Sequence, residues 1–140
     1  MLYQANSFTI ETPNDWQDRS IITFVAPNQT GEFAPNVVIT REAIDAKLTI
    51  EDYANRQFAI AQREIAGIKI IEQNNITLGG KPAIETIQNL SANNLALRQL
   101  QIFVLLDREI CVITCTATVG NFNQNLPRFR KILESFTVNR

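Results

Sequence analysis

The chain has 140 residues, with 13 Lys and Arg against 14 Asp and Glu and a net charge of −1, so its charge balance gives no case for nucleic acid or an anionic membrane surface as partner. A hydrophobic share of 45% is that of an ordinary globular protein, and the length fits one domain over residues 1–140. No apolar run approaches the roughly 20 residues that span a bilayer. Met1-Leu2-Tyr3-Gln4 lacks the basic and apolar regions of a signal peptide, so a cytosolic protein without direct membrane insertion is expected.

In chain order, Phe8 to Glu11 reads as a first short strand. Pro13-Asn14-Asp15-Trp16 is turn chemistry, with Trp16 expected to fill the core beside the turn. Ser20 to Ala26 is a strand, Pro27 to Gly31 a loop, and Asn36 to Glu42 the next strand. Thr49 is a good N-cap, and Glu51 and Asp52 place negative charge in the first turn of the helix it starts. Ile50, Tyr53, Ala54, Phe58, Ala61 and Ile65 keep helical spacing, and Gly67 can end the helix in the left-handed conformation. Strands follow at Ile68 to Glu72 and Ala83 to Leu90, with turns expected at Asn74-Asn75 and at Gly79 to Pro82. Two long strands, Leu97 to Leu106 and Glu109 to Thr118, flank a hairpin at Asp107-Arg108. A last helix is expected from about Asn125-Leu126, with Pro127 in its first turn and Phe129, Ile132, Leu133 and Phe136 as its buried stripe. Arg128, Arg130 and Lys131 on that helix read as a solvated face. Strands joined by short turns imply an α+β fold: a mainly antiparallel β-sheet with two α-helices packed on one face.

Strand parity carries the functional signal. Leu100, Ile102, Val104 and Leu106 share one face with Cys111, Ile113, Cys115 and Ala117, and this face is wholly apolar. The other face holds Leu97, Gln99, Gln101, Phe103 and Leu105 beside Ile110, Val112, Thr114 and Thr116. It is apolar too, with amides and hydroxyls in its middle. An antiparallel sheet with one wet face alternates apolar and polar more cleanly, so the second face is a candidate exposed apolar patch of the kind that marks partner sites. On these residues alone, cover by loops or by a second copy stands level with a groove for another protein.

The chain has no histidine, which removes imidazole-based catalysis and most zinc and haem sites. Cys111 and Cys115, four residues apart on one strand, would hold their Cα atoms roughly 13 Å apart, too far for a disulfide. No pair of carboxylates stands out as an acid/base couple, and Glu85 reads as facing water. A binding protein with no metal and no cofactor is expected, and not an enzyme.

Several segments carry a family resemblance. Trp16-Gln17-Asp18-Arg19-Ser20-Ile21 resembles the signature of the DcrB-like family, which includes the Eag chaperones of bacterial type VI secretion. In order along the chain follow Val38-Ile39-Thr40-Arg41-Glu42, Tyr53-Ala54-Asn55-Arg56-Gln57, Leu78-Gly79-Gly80-Lys81-Pro82-Ala83, Leu97-Arg98-Gln99 and Ile132-Leu133-Glu134-Ser135-Phe136. The resemblance implies a PsbP-like fold. It also implies a cytosolic homodimer that holds the N-terminal transmembrane helices of an effector on a concave apolar sheet face. Ile21, Thr23 and Val38 would lie on that face, Thr23 standing where an aliphatic residue is expected, and Gln57 and Gln99 would be amides that bond to the bound helices. A general protein-interaction domain of the same fold, or a small-molecule carrier, are the alternative readings.

Overall fold

The computed structural model describes residues 1–27, 33–45 and 47–139, so most of the loop expected at Pro27 to Gly31 lies outside the described residues. A small hairpin of β1 (Leu2–Gln4) and β2 (Thr9–Glu11) comes first. Then follow β3 (Ile22–Val25), β4 (Asn36–Ala43), α1 (Ile50–Glu64), β5 (Lys69–Leu78), β6 (Lys81–Ala92), β7 (Leu95–Leu105), β8 (Glu109–Thr118) and α2 (Val119–Glu134). The strands β3 to β8 form one antiparallel sheet in the order β3-β4-β8-β7-β6-β5.

This is the α+β architecture expected, but the helices are not packed on one face. Residues directly opposite in an antiparallel ladder share a face. Val104 faces Cys111 and Leu100 faces Cys115, and these four join Phe122, Phe129 and Leu133 of α2 in one buried cluster. Phe103 and Ile110, of the opposite parity, join Ile50, Tyr53 and Ala54 of α1 in another. The helices therefore sandwich the sheet. The physical reason is visible in β7 and β8: both of their faces carry large apolar side chains, and each face needs its own cover.

Other local expectations also give way. α2 starts at Val119, well before Asn125, because the Thr118 hydroxyl caps it by accepting from Asn121 N–H at 3.3 Å. Pro127 thus sits inside the helix and not in its first turn. Asn74-Asn75 is no turn but the middle of β5, paired with Glu85 and Ile84. Trp16 is 65% exposed and fills no core. Glu85 is buried on the α2 face, where Arg130 of α2 pairs with it, so Arg130 leaves the solvated run to Arg128 and Lys131.

The tight turns follow their residues. Asn93 and Asn94 have φ of 53° and 65° and join β6 to β7, since Asn tolerates the left-handed conformation that two-residue hairpins need. Gly79 and Gly80, with φ of 59° and 79°, do the same between β5 and β6. Phe136, just past α2, packs on the first of these: a Cβ on Gly79 would lie 2.8 Å from the Phe136 ring, whereas a Cβ on Gly80 would meet nothing within 4 Å. Gly80→Ala is expected to destabilise the protein only by the added backbone strain, about 1–2 kcal/mol, and Gly79→Ala by more than that. Urea unfolding of the two variants checks the order.

Candidate functional site: a half-covered sheet face

Thr49 fixes where α1 begins, its hydroxyl accepting from Asp52 N–H at 3.1 Å. The first turns of α1 then lay Ile50, Tyr53 and Ala54 over Ile84, Phe103 and Ile110. The Tyr53 hydroxyl donates to Glu42 at 2.8 Å. Burial first, and the Glu42 carboxylate second, raise its pKa far above the usual phenol range, so Tyr53 is a neutral anchor. Further along, Phe58 still packs on Phe103, while Gln57 and Ala61 of α1 and its cap residue Ile65 form a wall beside the uncovered part of the sheet. Between this wall and the sheet lies a trough of about 720 Å³.

The ladder register gives the trough floor as cross-strand rows. Leu90 faces Leu97 at one end. Next comes the row Gln88, Gln99, Thr116, Asn36, then Thr86, Gln101, Thr114, Val38, and then Ile84, Phe103, Val112, Thr40. Two polar rows thus lie between apolar ones. Their side chains bond to each other: Gln99 Nε2 donates to the Thr116 hydroxyl at 3.2 Å and Gln101 Nε2 to the Thr114 hydroxyl at 3.0 Å. Gln88 Nε2 donates to Gln99 Oε1 at 2.8 Å.

Of the five residues expected on the binding face, Val38, Gln57 and Gln99 line this trough. Ile21, 67% exposed, lies in an adjoining recess of about 780 Å³ that shares Thr40, Glu42 and Tyr53 with the trough. Thr23 lies outside both; it pairs with Val38 from the edge strand and forms the rim. Gln88 was missed by sequence reasoning. Its signal was parity, because it alternates with Ile87 and stands opposite Gln99, but its strand had first to be registered against β7. The trough offers shape and hydrogen bonding. Both thiols lie on the opposite, α2 face, and burial pushes Cys115 up to about 12 and Cys111 up as well.

The lead-in to β3, which carries Ile21, is held by Asp18. Its carboxylate accepts from Ser20 N–H at 2.9 Å and pairs with Arg41 of β4 at 2.7 Å. The Ser20 hydrogen bonds first, and Arg41 next, lower its pKa from 3.8 to about 2. A lowered folded pKa means that this anchor contributes fully above the unfolded value of 3.8 and is lost as pH falls towards 2. Carboxyl chemical shifts followed by NMR should give Asp18 a midpoint well below those of ordinary aspartates, and Arg41→Leu should raise it only part of the way.

Comparisons with known proteins agree with this fold. Residues 8–135 match the DcrB family model. A Pseudomonas aeruginosa protein named Effector EagT6 is 24% identical over 134 residues, covering 96% of this chain and 93% of that protein. The crystal structure of PA94 from Pseudomonas aeruginosa, a protein of unknown function described as a putative regulator, superposes with a TM-score of 0.88 at 23% identity, covering 100% of this chain and 97% of that one. The solution structure of cyanobacterial PsbP from Synechocystis sp. PCC 6803 superposes with a TM-score of 0.60 at 13% identity, covering 99% and 92% of the two chains. At such identities these structures establish the fold alone, and that fold is PsbP-like, as the sequence resemblance implied. With the family model matching residues 8–135 of its 140, the chain belongs to the DcrB family.

Proposed function

We propose that this protein is a cytosolic chaperone, or adaptor, of type VI secretion that shelters a hydrophobic N-terminal helical segment of an effector in the trough beside α1. The observation that carries the reading is the trough itself: an open groove on one sheet face, with apolar rows and an apolar helix wall on either side of a hydrogen-bonded polar band. Similarity to Effector EagT6 over 96% of the chain supports the secretion setting. An apolar helix in water aggregates, and burying it recovers roughly 25 cal/mol per Å² of apolar surface. Ser or Thr hydroxyls on such a helix can meet the amides of Gln57 and Gln99, which apolar walls would leave unpaired. The role is one of binding and not of catalysis, and the two buried free thiols suit a reducing compartment.

A homodimer completes the site in this reading. The sheet has two edges of different character. β5 carries Lys69 and Glu72 and a register shift between Ile70 and Glu72, devices that discourage edge pairing. β3 carries no charge, and Phe24 is 62% exposed. Antiparallel pairing of β3 with its own copy about Thr23 would set Ile22 opposite Phe24 and Ile21 opposite Val25. It would keep both α1 faces on one side. Two troughs would merge into one, with Thr23 moved from its rim, and Ile21 from the adjoining recess, to its middle.

Co-expression with an effector's N-terminal segment, followed by affinity purification and light-scattering mass, tests the chaperone reading. A soluble complex is expected, and Ile21→Asp and Val38→Asp should each weaken it by about tenfold or more, an unpaired carboxylate having been put against an apolar partner. Thermal melting should show both variants folded. If they bind normally, the trough is not the site, and a general interaction domain becomes the better account. Separately, Thr23→Cys should form a disulfide-linked dimer under mild oxidation, while Gln73→Cys on the other edge should not. A Thr23→Cys protein that remains monomeric would remove the β3 interface and leave the trough untouched.

A further inference from the structure

The two polar rows of the trough floor meet at one side chain. Gln88, only 4% exposed, stands on β6 opposite Gln99 and diagonal to Gln101. Its Nε2 donates to Gln99 Oε1 at 2.8 Å and to Gln101 Oε1 at 3.4 Å. The far ends of the same two amides donate to Thr116 and Thr114. Gln99 and Gln101 therefore each have their carbonyl oxygen and one N–H engaged inside the sheet. Thr86 shows what this arrangement costs. It lies directly opposite Gln101, is 0% exposed, and its hydroxyl has no partner among the described residues. Of the two hydroxyls directly opposite it, Gln101 bonds to that of Thr114 and leaves that of Thr86 without a partner.

We infer that Gln88 is a positioning residue that holds the carbonyls of the amide band, so that the trough accepts a wholly apolar helix without needing a hydroxyl donor from it. The inference rests on the proposed occupancy of the trough and adds the class of segment it takes. A polar group covered by an apolar partner is costly only if it loses water without another hydrogen bond. With Gln88 in place, the carbonyls of Gln99 and Gln101 already hold their donor and can be covered dry. Without it, they need a donor from the bound segment. The band thus gives the groove tolerance: one protein can serve apolar helices that share no fixed polar position.

Gln88→Met keeps the side-chain length and removes both N–H donors. Two lysine-flanked synthetic helices of about 20 residues are the probes, one of Leu and Ala only, the other with a central Ser. The wild-type protein should bind both within about threefold. In Gln88→Met the apolar helix should weaken by about tenfold or more, the equivalent of one unmet hydrogen bond, while the Ser helix changes little. Equal loss for both helices, or no loss for either, overturns the inference. NMR supplies a readout free of ligand: exchange protection of the Gln99 and Gln101 side-chain amide protons should drop in the variant, and unchanged protection also overturns it. If Gln88→Met does not fold, Thr114→Val with Thr116→Val frees the other ends of the same amides and should weaken the two helices in the same order. A wild-type protein that binds neither helix sinks the chaperone reading and the tolerance with it. Lost amide protection in the same variant would still leave Gln88 its positioning role.

Discussion

The structure depends on the alternation of side chains along the paired central strands β7 and β8. Their register places Leu100, Ile102 and Val104 with Cys111, Ile113 and Cys115 on one side, and Phe103 and Leu105 with Ile110 and Val112 on the other. No choice of register can put all of this apolar surface on one face, since a strand turns every second side chain outwards. Cover is therefore needed twice, and the chain supplies one helix for each face. α2 lies along the middle of its face and brings Phe122, Phe129 and Leu133 to it, each worth about 1.5–3 kcal/mol when fully buried. α1 has 15 residues and about 22 Å of length, and it seals only the Phe103 end of the other face.

What α1 leaves open is the candidate site, and its polarity follows from the same geometry. A floor of aliphatic residues alone would present an adhesive surface to any unfolded chain. Placing Gln88, Gln99, Gln101, Thr114 and Thr116 in adjacent rows keeps the trough wettable when empty. Their mutual hydrogen bonds keep the cost of drying low when it is filled. Tyr53 and Glu42 close the end where α1 meets the sheet, and Asp18 with Arg41 fixes the approach to β3, so the frame around the trough is polar, paired and ordered.

Much of this was legible in the sequence. The strands β4, β7 and β8, the cap at Thr49, the apolar stripe of α1 and the parity that put Gln99 on the second face all follow from local rules. So did the inert character of Cys111 and Cys115. The helix placement did not, because parity says which residues share a face but not which helix reaches it. Glu85 was misread for the same reason: its exposure depends on Arg130, 45 positions away. Pro127 misled the start of α2, since proline favours a first turn but a strong cap at Thr118 outweighs one lost interior hydrogen bond. Asn74-Asn75 has turn composition, yet an edge strand can hold polar residues on both of its faces and still pair along one side. Trp16 stands apart because apolar character alone does not locate a side chain in a core.

Phe136 and Arg130 have a consequence for how the molecule opens. One packs on Gly79 at the β5–β6 turn, and the other pairs with Glu85 in the middle of β6. Both belong to α2 or the residues just after it, so the last helix clasps the β5–β6 hairpin although it contacts β7 and β8 over most of its length. An opening of α2 would release these two holds on the hairpin as well, which ties the two elements together. The β1–β2 hairpin and β3 lie outside this clasp and carry almost wholly exposed side chains, the feature that lowers the cost of local opening. The trough therefore has one lightly packed lip, at β3, above a floor of closely packed strands. On the proposed occupancy, a segment entering from the β3 side would disturb that lip and leave the core in place.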